Sequence, residues 1–469
     1  MLTKSFSNKR FLGLSKYKWH IFGIIFTFTA ILKIAGFKKY DTDVMWHFKL
    51  GQYIVNHGRL PTKAILTFQH NLPQMCHEWL YDVYAYLVIK YLNIMVLILL
   101  PVALTVYLIV KYNKINNIFT ICLIAVTLMV PNFGRPGDYS TVILMYAIMR
   151  VRKNKSLFLL TVLLANIHGG VLVEMFLVIF ADLFIKLFNR KISKKDFYNI
   201  PQVILGSLIN PYGWKIWQYM CLMMTVDKDA SGRSLISEWQ PGKFSILYAF
   251  IFLIIMICIV KEFNVPAITY TSMFFIGFTM YARYEYQLFV IACLVGAKSV
   301  NKIFNDYLPN ERVGLKKLPL LTLFGTVGLI FALIYTNPFK PYETAVYASD
   351  TNETTKSEGK QILKAINYVK KHNLTNVYVP YNYAPYFMLK DVPVFIDPRC
   401  DPYMKAFGGN ESLKDVITME NKYDFKKLIK KYDLKYAFVP VDESVFIDIY
   451  QPNVTCIKRF GSFILCKTK

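Results

Sequence analysis

The sequence predicts an α-helical polytopic membrane protein of about eleven transmembrane helices, followed by a C-terminal extracytoplasmic α/β domain. Three observations predict it. The chain is 55% hydrophobic over 469 residues, with a mean hydropathy of +0.33. Soluble domains sit near ~45–50% apolar, so the surplus needs a non-aqueous setting. Apolar runs recur as far as residue 337, separated by short basic stretches, and about 20 apolar residues suffice to cross a hydrocarbon core. Beyond Pro338 the long runs stop, and strand-like and helix-like patterns alternate.

The spans fall near 19–37, 94–111, 118–133, 139–151, 156–168, 170–188, 200–212, 245–261, 265–282, 287–304 and 318–337. Several are short and call for a thinned bilayer or a place inside the bundle. The first follows a basic stretch of Lys4, Lys9, Arg10, Lys16 and Lys18. It resembles a signal peptide, but Lys38, Lys39 and Tyr40 stand where a small-residue cleavage site would come, so it reads as an uncleaved span. The segment from His77 to Tyr91 is aromatic, yet Glu78, Asp82 and Lys90 interrupt it.

Charge decides the count. The 55 Lys and Arg against 30 Asp and Glu leave a formal charge of +25. Such a charge usually suggests a nucleic-acid partner. Here the basic residues form no stripe; they lie in short loops between apolar runs, so no nucleic acid is expected. The N-terminus, Lys111/Lys114, Arg150–Lys155, Arg190–Lys195 and Lys302–Lys317 all come out cytoplasmic if the chain crosses eleven times. That holds if 77–92 adds no crossing; a twelfth span would invert every later loop. The expected location is the cell membrane, multi-pass, with a cytoplasmic N-terminus at 1–18, a transmembrane domain at 19–337 whose first outer loop is 38–93, and an extracytoplasmic domain at 338–469. Every remaining polar cluster then lands on the outer face.

In the outer domain, 355–373 reads as an amphipathic helix. Val377–Val379, Val394–Ile396 and Tyr436–Val439 read as short buried strands, 411–432 as helical, and Val454–Lys467 as a closing hairpin. The eight cysteines show no metal spacing and no CxxC. Cys122, Cys258 and Cys293 lie in apolar runs as small core residues. Cys456 and Cys466 flank the hairpin turn and could face one another across two strands.

The polar residues of the outer face are the candidates for chemistry. Asp41 and Asp43, two apart in a loop, can point to one side, sharing a divalent metal or dividing into a base and a metal ligand. The bland reading is solvated acids beside Lys38 and Lys39. His47 follows on an interfacial helix with Trp46, Phe48, Leu50, Tyr53 and Ile54, where a structural contact competes with a ligand role. Glu78 opens the next helix, where the helix dipole alone accounts for it. His168 precedes Gly169-Gly170, which serve either a reversal between spans or close approach of a ligand. Arg283, between Tyr281 and Tyr284, sits against the positive-inside trend, and its planar fork suits phosphate. Arg135 and Arg399 raise the same question, with Asp138 and Asp397 as simple partners. No P-loop, GxSxG, HExxH or dinucleotide fingerprint occurs.

Taken in order, "DTDVMWHFKLGQYIVNHGRLP", "HEWL", "RP" at Arg135-Pro136, "NIHGG", "INPYGW", "SEWQP", "ARY" and "VFIDPRCDPY" resemble a group of bacterial multi-spanning proteins within the GT-C glycosyltransferase superfamily. The resemblance covers nearly the whole chain, and its strength lies in the register of the motifs with the topology. It implies transfer of a sugar from a polyprenyl-phosphate or pyrophosphate lipid to an extracytoplasmic acceptor, with the bilayer itself as the third partner. It also implies a first-loop acidic motif used in catalysis, often with a metal; Asp41 and Asp43 match it, with Mg or Mn as the expected ion. No organic cofactor is expected. The WWDYG-type acceptor motif of oligosaccharyltransferases is absent, which speaks against Asn-linked protein glycosylation. On this reading Asp41 or Asp43 is the base or metal ligand, Glu238 and His168 are further catalytic candidates, and Arg283, Arg135 and Tyr284 hold the donor phosphate. Two alternatives remain. A flippase would place charges at mid-span on inverted repeats, yet only Glu174 and Asp182 stand out there and no repeat is evident. A non-catalytic assembly protein could keep the same scaffold, although the intact acidic pair speaks against it.

Overall fold

The computed structural model describes residues 3–35, 41–130, 134–225, 237–309, 317–336, 342–348, 358–422, 425–441 and 454–468. Arg312 and Lys316, within the Lys302–Lys317 cluster used above for sidedness, and Lys38 and Lys39, beside the acidic pair, lie outside them. The chain opens with α1 (Thr3–Ala35), α2 (Thr42–His57) and α3 (Trp79–Tyr91). Next come α4 (Ile94–Tyr112), α5 (Ile118–Thr127), α6 (Pro136–Val151), α7 (Phe158–Ile167), α8 (Val173–Phe188), α9 (Asn199–Leu208) and α10 (Lys215–Thr225). The second half carries α11 (Ile246–Lys261), α12 (Val265–Met280), α13 (Glu285–Tyr307), α14 (Leu318–Thr336) and α15 (Tyr342–Ala348). The C-terminal part holds α16 (Glu358–Lys371), β1 (Val377–Tyr378), α17 (Ala384–Leu389), α18 (Ser412–Lys422), α19 (Phe425–Tyr432), β2 (Tyr436–Pro440), β3 (Val454–Phe460) and β4 (Phe463–Thr468). Among the described residues the fold is therefore mostly helical with one small sheet.

Each apolar run of the sequence is a helix, many of them short. By length and composition, two helical stretches among the described residues are long and apolar enough to cross a membrane: Ile94–Tyr112 and Ala282–Tyr307. Shorter apolar helices occupy Ile118–Thr127, Phe158–Ile167, Ile246–Lys261, Val265–Met280 and Pro319–Ile334. The 13-residue α3 is about 20 Å long.

The chain divides into two compact units. The first is Met1–Phe37, Met95–Gly213 and Ser237–Pro338, the helical unit. Within it α1 and α14 approach closely through small residues. A Cβ on Gly23 would meet Thr322 Cγ2 at 2.8 Å, and one on Gly325 would meet Thr27 Oγ1 at 2.5 Å. Small side chains at a helix contact let backbones approach and maximise van der Waals packing, the main attraction where lipid removes the hydrophobic drive. Leu320, Leu323, Phe324, Phe331 and Ile334 of α14 are exposed, as a lipid-facing helix would leave them.

The second unit is Lys38–Ile94, Trp214–Ile236 and Phe339–Lys469. Its sheet runs β1-β2-β4-β3, with β1 and β2 parallel and the other pairs antiparallel. The closing hairpin forms where the pattern placed it. The segment Val394–Ile396 differs from expectation: it is buried but joins no sheet among the described residues. Val394 makes a single parallel bridge with Thr67. Its N–H donates to the Leu66 carbonyl, and its carbonyl accepts from the Phe68 N–H, each at 3.1 Å. An extended apolar run needs partners for its backbone groups, and here the first loop supplies them. Leu72 of that loop lies in the same core as Tyr378, Phe395, Tyr403, Val416, Phe425, Leu428 and Val439.

Candidate functional site

The helical unit gathers four of the motifs. Arg135, Ser140, His168, Glu238, Trp239 and Arg283 come together from widely separated positions. The α7 helix stops at Ile167; His168 adopts φ −153° and a short 3-10 turn, Gly169–Val171, leads into α8. This turn directs His168 inward, 5% exposed. Its Nδ1 lies 3.1 Å from Ser140 Oγ, and that hydroxyl donates to the Gly137 carbonyl at 3.0 Å. The hydroxyl proton is thus committed, so His168 Nδ1–H is the donor and Nε2 carries the lone pair, an assignment made from the network. Arg283 Nη2 sits 3.5 Å from that Nε2. The guanidinium also lies over the Trp239 ring at 5.3 Å to the centroid, a cation–π contact. The Ala282 N–H donates to the Gln240 carbonyl at 2.7 Å, tying the "ARY" turn to the "SEWQP" turn.

Arg135 was given Asp138 as its simple partner, and the structure pairs it differently. Its Nη1 forms an ion pair with Glu238 Oε1. Asp138 instead accepts from backbone: the Gly134 N–H at 2.9 Å and the Arg135 N–H at 3.3 Å, capping α6. Tyr284, proposed for donor binding, hydrogen-bonds the buried Glu174 carboxylate, which also accepts from Gln287 Nε2 at 3.1 Å. Asn210 of "INPYGW" closes a turn, accepting from the Tyr212 N–H at 2.8 Å and donating to the Ser207 carbonyl at 2.7 Å. That motif is a corner.

The second unit builds another polar cluster around the acidic pair. Asp41 is the N-cap of α2, and its Oδ1 accepts the Asp43 N–H at 2.9 Å. Asp43 lies in the first turn, where its charge complements the helix dipole. One turn on, buried His47 holds Asp82 Oδ1 at 2.6 Å through Nδ1, with Glu78 Oε2 4.0 Å from Nε2. Burial, and then the Glu78 charge, push the Asp82 carboxyl well above the usual carboxylate range. Close approach of α2 to α3 makes this pair possible: a Cβ on Gly51 would stand 2.0 Å from the Asp82 carbonyl oxygen.

Asp43 lies near enough for its charge to act on Tyr381 and Cys400, which brings the first motif to "VFIDPRCDPY". In that loop Arg399 grips Asp397 with two bonds, Nε–Oδ1 at 2.8 Å and Nη2–Oδ2 at 2.5 Å. Tyr403 Oη donates to Asp397 Oδ2 at 2.6 Å. Burial would raise Asp397, but the Arg399 guanidinium overrides it and holds the carboxyl below its ordinary value. Asp401 has no such grip, and burial pushes it up to about 7 despite Arg399. Between them Cys400 sits at φ +65°, ψ −46°, and the Asp401 N–H reaches back to the Arg399 carbonyl at 2.8 Å. This is a tight γ-turn in a region that costs a non-glycine residue ~1–3 kcal/mol. Arg399 Nη1 is buried with no hydrogen-bond partner among the described residues.

Sequence reasoning singled out Asp43, His168, Glu238, Arg135 and Arg283, but gave no weight to Asp397, Asp401 and Tyr403 as a group, nor to the His47–Asp82 pair. The signal for the first was the acid spacing in "DPRCDPY". The second joins residues 35 apart on two helices, which no local pattern marks.

For a metal, no three His, Cys, Asp or Glu side chains gather in ligating arrangement among the described residues. Asp41 and Asp43 would supply at most two carboxylates, and Asp41 Oδ1 is engaged in the cap. That fits a Mg-type ion held jointly by one or two carboxylates and substrate phosphate, not a site closed by protein alone.

No family model and no curated protein matches the chain. Among the solved structures that match the chain are two of an archaeal oligosaccharyltransferase. One is the crystal structure of the Archaeoglobus fulgidus oligosaccharyltransferase tethered through a disulfide to an acceptor peptide with the NVT sequon. It has a TM-score of 0.46 and 11% identity, over 90% of this chain and 69% of that one. The other is the archaeal oligosaccharyltransferase AglB from Archaeoglobus fulgidus with an inhibitory peptide and a dolichol-phosphate, at TM-score 0.49 and 12% identity, over 91% and 70%.

Proposed function

We propose that this protein is a membrane glycosyltransferase that moves a sugar from a polyprenyl-phosphate-type lipid to an acceptor outside the cell membrane. The observation that supports it is the gathering of Arg283 and Arg135 with His168, Glu238 and Trp239 in an apolar helical unit. Arginine forks suit the oxygens of a leaving phosphate, and an aromatic ring beside them suits a sugar face or a lipid head.

In the proposed step the acceptor hydroxyl oxygen attacks the anomeric carbon. Its proton passes to a carboxylate base, the role the acidic motif offers to Asp43 or Asp41, and the bond from carbon to phosphate oxygen breaks with its electron pair on the phosphate. Arg283, held from two sides by His168 and Trp239, donates to that developing charge. Arg135, already neutralised by Glu238, serves the same anion when Glu238 yields it. A divalent ion, if one of Asp41 and Asp43 held it while the other served as base, would neutralise phosphate charge. Asp41 also keeps the first turn of α2 formed, which fixes Asp43.

The test uses purified protein in liposomes with a short polyprenyl-phosphate sugar and a panel of hydroxyl acceptors. Transfer should occur and fall about 100- to 10,000-fold in Asp43→Asn, the range of a lost general base. A double variant Asp41→Asn, Asp43→Asn with full transfer activity sinks the assignment. Translocation of the lipid-linked sugar without turnover would favour a transporter instead.

A further inference from the structure

We propose that Cys456 and Cys466 are a built disulfide site, closed by exchange with a low-molecular-weight disulfide. The two residues are register partners of the β3–β4 hairpin. Both are free thiols, with their sulfurs 3.1 Å apart. Directly opposed residues of an antiparallel pair have Cβ atoms about 4.5–5.5 Å apart, and a disulfide spans about 3.5–4.5 Å, so closure asks for a small approach. The turn fixes the pairing. The strands reverse through Gly461 at φ +65°, and Phe460 faces Phe463 directly after it. A register shift between Cys456 and Lys458 leaves Ile457 as an extra residue beside the pair, where a bulge concentrates strand twist.

The two sulfurs differ in access. Cys456 is exposed and Cys466 buried. Burial, with the neighbouring Cys456 sulfur, pushes the Cys466 thiol up. Attack therefore begins at Cys456. Its thiolate displaces one glutathione from oxidised glutathione and forms a mixed disulfide. The Cys466 sulfur then attacks Cys456 Sγ and expels the second glutathione. Two protein thiols lose two electrons and two protons; one external disulfide becomes two thiols. The product joins β3, the outermost strand of the sheet among the described residues, covalently to β4. An edge strand is held by fewer backbone partners than a central one, so the bond ties down the strand at the edge of the described sheet. The proposal stands apart from glycosyl transfer.

The test incubates the full purified chain with oxidised glutathione, blocks remaining thiols with N-ethylmaleimide, and maps peptides without reduction. The expected result is a Cys456–Cys466 linked peptide, two hydrogens lighter than its parts, with Cys76, Cys122, Cys221, Cys258, Cys293 and Cys400 absent from any linked peptide. Cys456→Ser and Cys466→Ser should each abolish that peptide, and Cys466→Ser should leave glutathione on Cys456. Wild-type protein in which Cys456 stops at the glutathione adduct, or in which both thiols react with maleimide as they do without glutathione, overturns the proposal with no need of a variant.

Discussion

Arg283 and Arg399 show how the same side chain is placed for two different tasks. Arg283 contacts a histidine ring nitrogen and an aromatic face, neither of them a carboxylate. Arg399 spends two bonds on one carboxylate in a buried loop. Removing Arg399 would strand the Asp397 charge, so Arg399→Met should cost about 3–5 kcal/mol, read by chemical unfolding. Arg283→Lys keeps a charge but loses the fork; transfer should fall about 100- to 1,000-fold with little change in unfolding midpoint. Asp401 gives a pH signature. An unfolded aspartate releases its proton near pH ~4, while burial holds it in the folded chain up to about 7. Its contribution is therefore fully present below pH ~4 and is lost as the pH rises to about 7, on the order of 4 kcal/mol in all. Asp401→Asn should flatten that slope and be more stable than wild type at pH ~8, as unfolding curves across the range would show.

At the scale of elements, the close α2–α3 contact controls the acidic motif. It rests on Gly51, where any side chain meets the Asp82 backbone and Tyr86 Cβ at 2.7 Å. Gly51→Leu should force the helices apart, break the His47–Asp82 bond and reduce transfer without touching Asp43. Thermal unfolding and hydrogen exchange at Trp79–Tyr91 would register it. The α1–α14 contact offers a parallel case, with Gly325 against Thr27. Both contacts were hidden in the sequence, because a glycine within an apolar or amphipathic run does not announce which helix it faces.

For the whole molecule the membrane crossing is the main expectation still to be measured. A single cysteine at Lys194, exposed between α8 and α9, should stay unlabelled by an impermeant maleimide in intact cells. Strong labelling would overturn the eleven-crossing count. The apolar helices, the amphipathic α16 and the C-terminal hairpin were legible because each follows from a local period or a turn residue. The partner of Val394–Ile396 was not: Thr67 Oγ1 bonds the Phe395 carbonyl across 328 residues, and single-sequence patterning carries no information at that range.

Composition and patterning by themselves determined that this chain is a largely apolar, mostly helical protein with a small C-terminal α/β part, and which polar residues stood out against that background. Burial and periodicity are properties of short windows, so one sequence suffices for them. Only the tertiary structure decided who pairs with whom. It gave Glu238 to Arg135, turned Tyr284 toward Glu174, brought the Asp43 charge within electrostatic reach of Cys400, and drew the first loop into the core of the C-terminal unit. Those outcomes depend on satisfying buried charges and backbone groups across long separations, and the contest among possible partners is settled only when the helices pack.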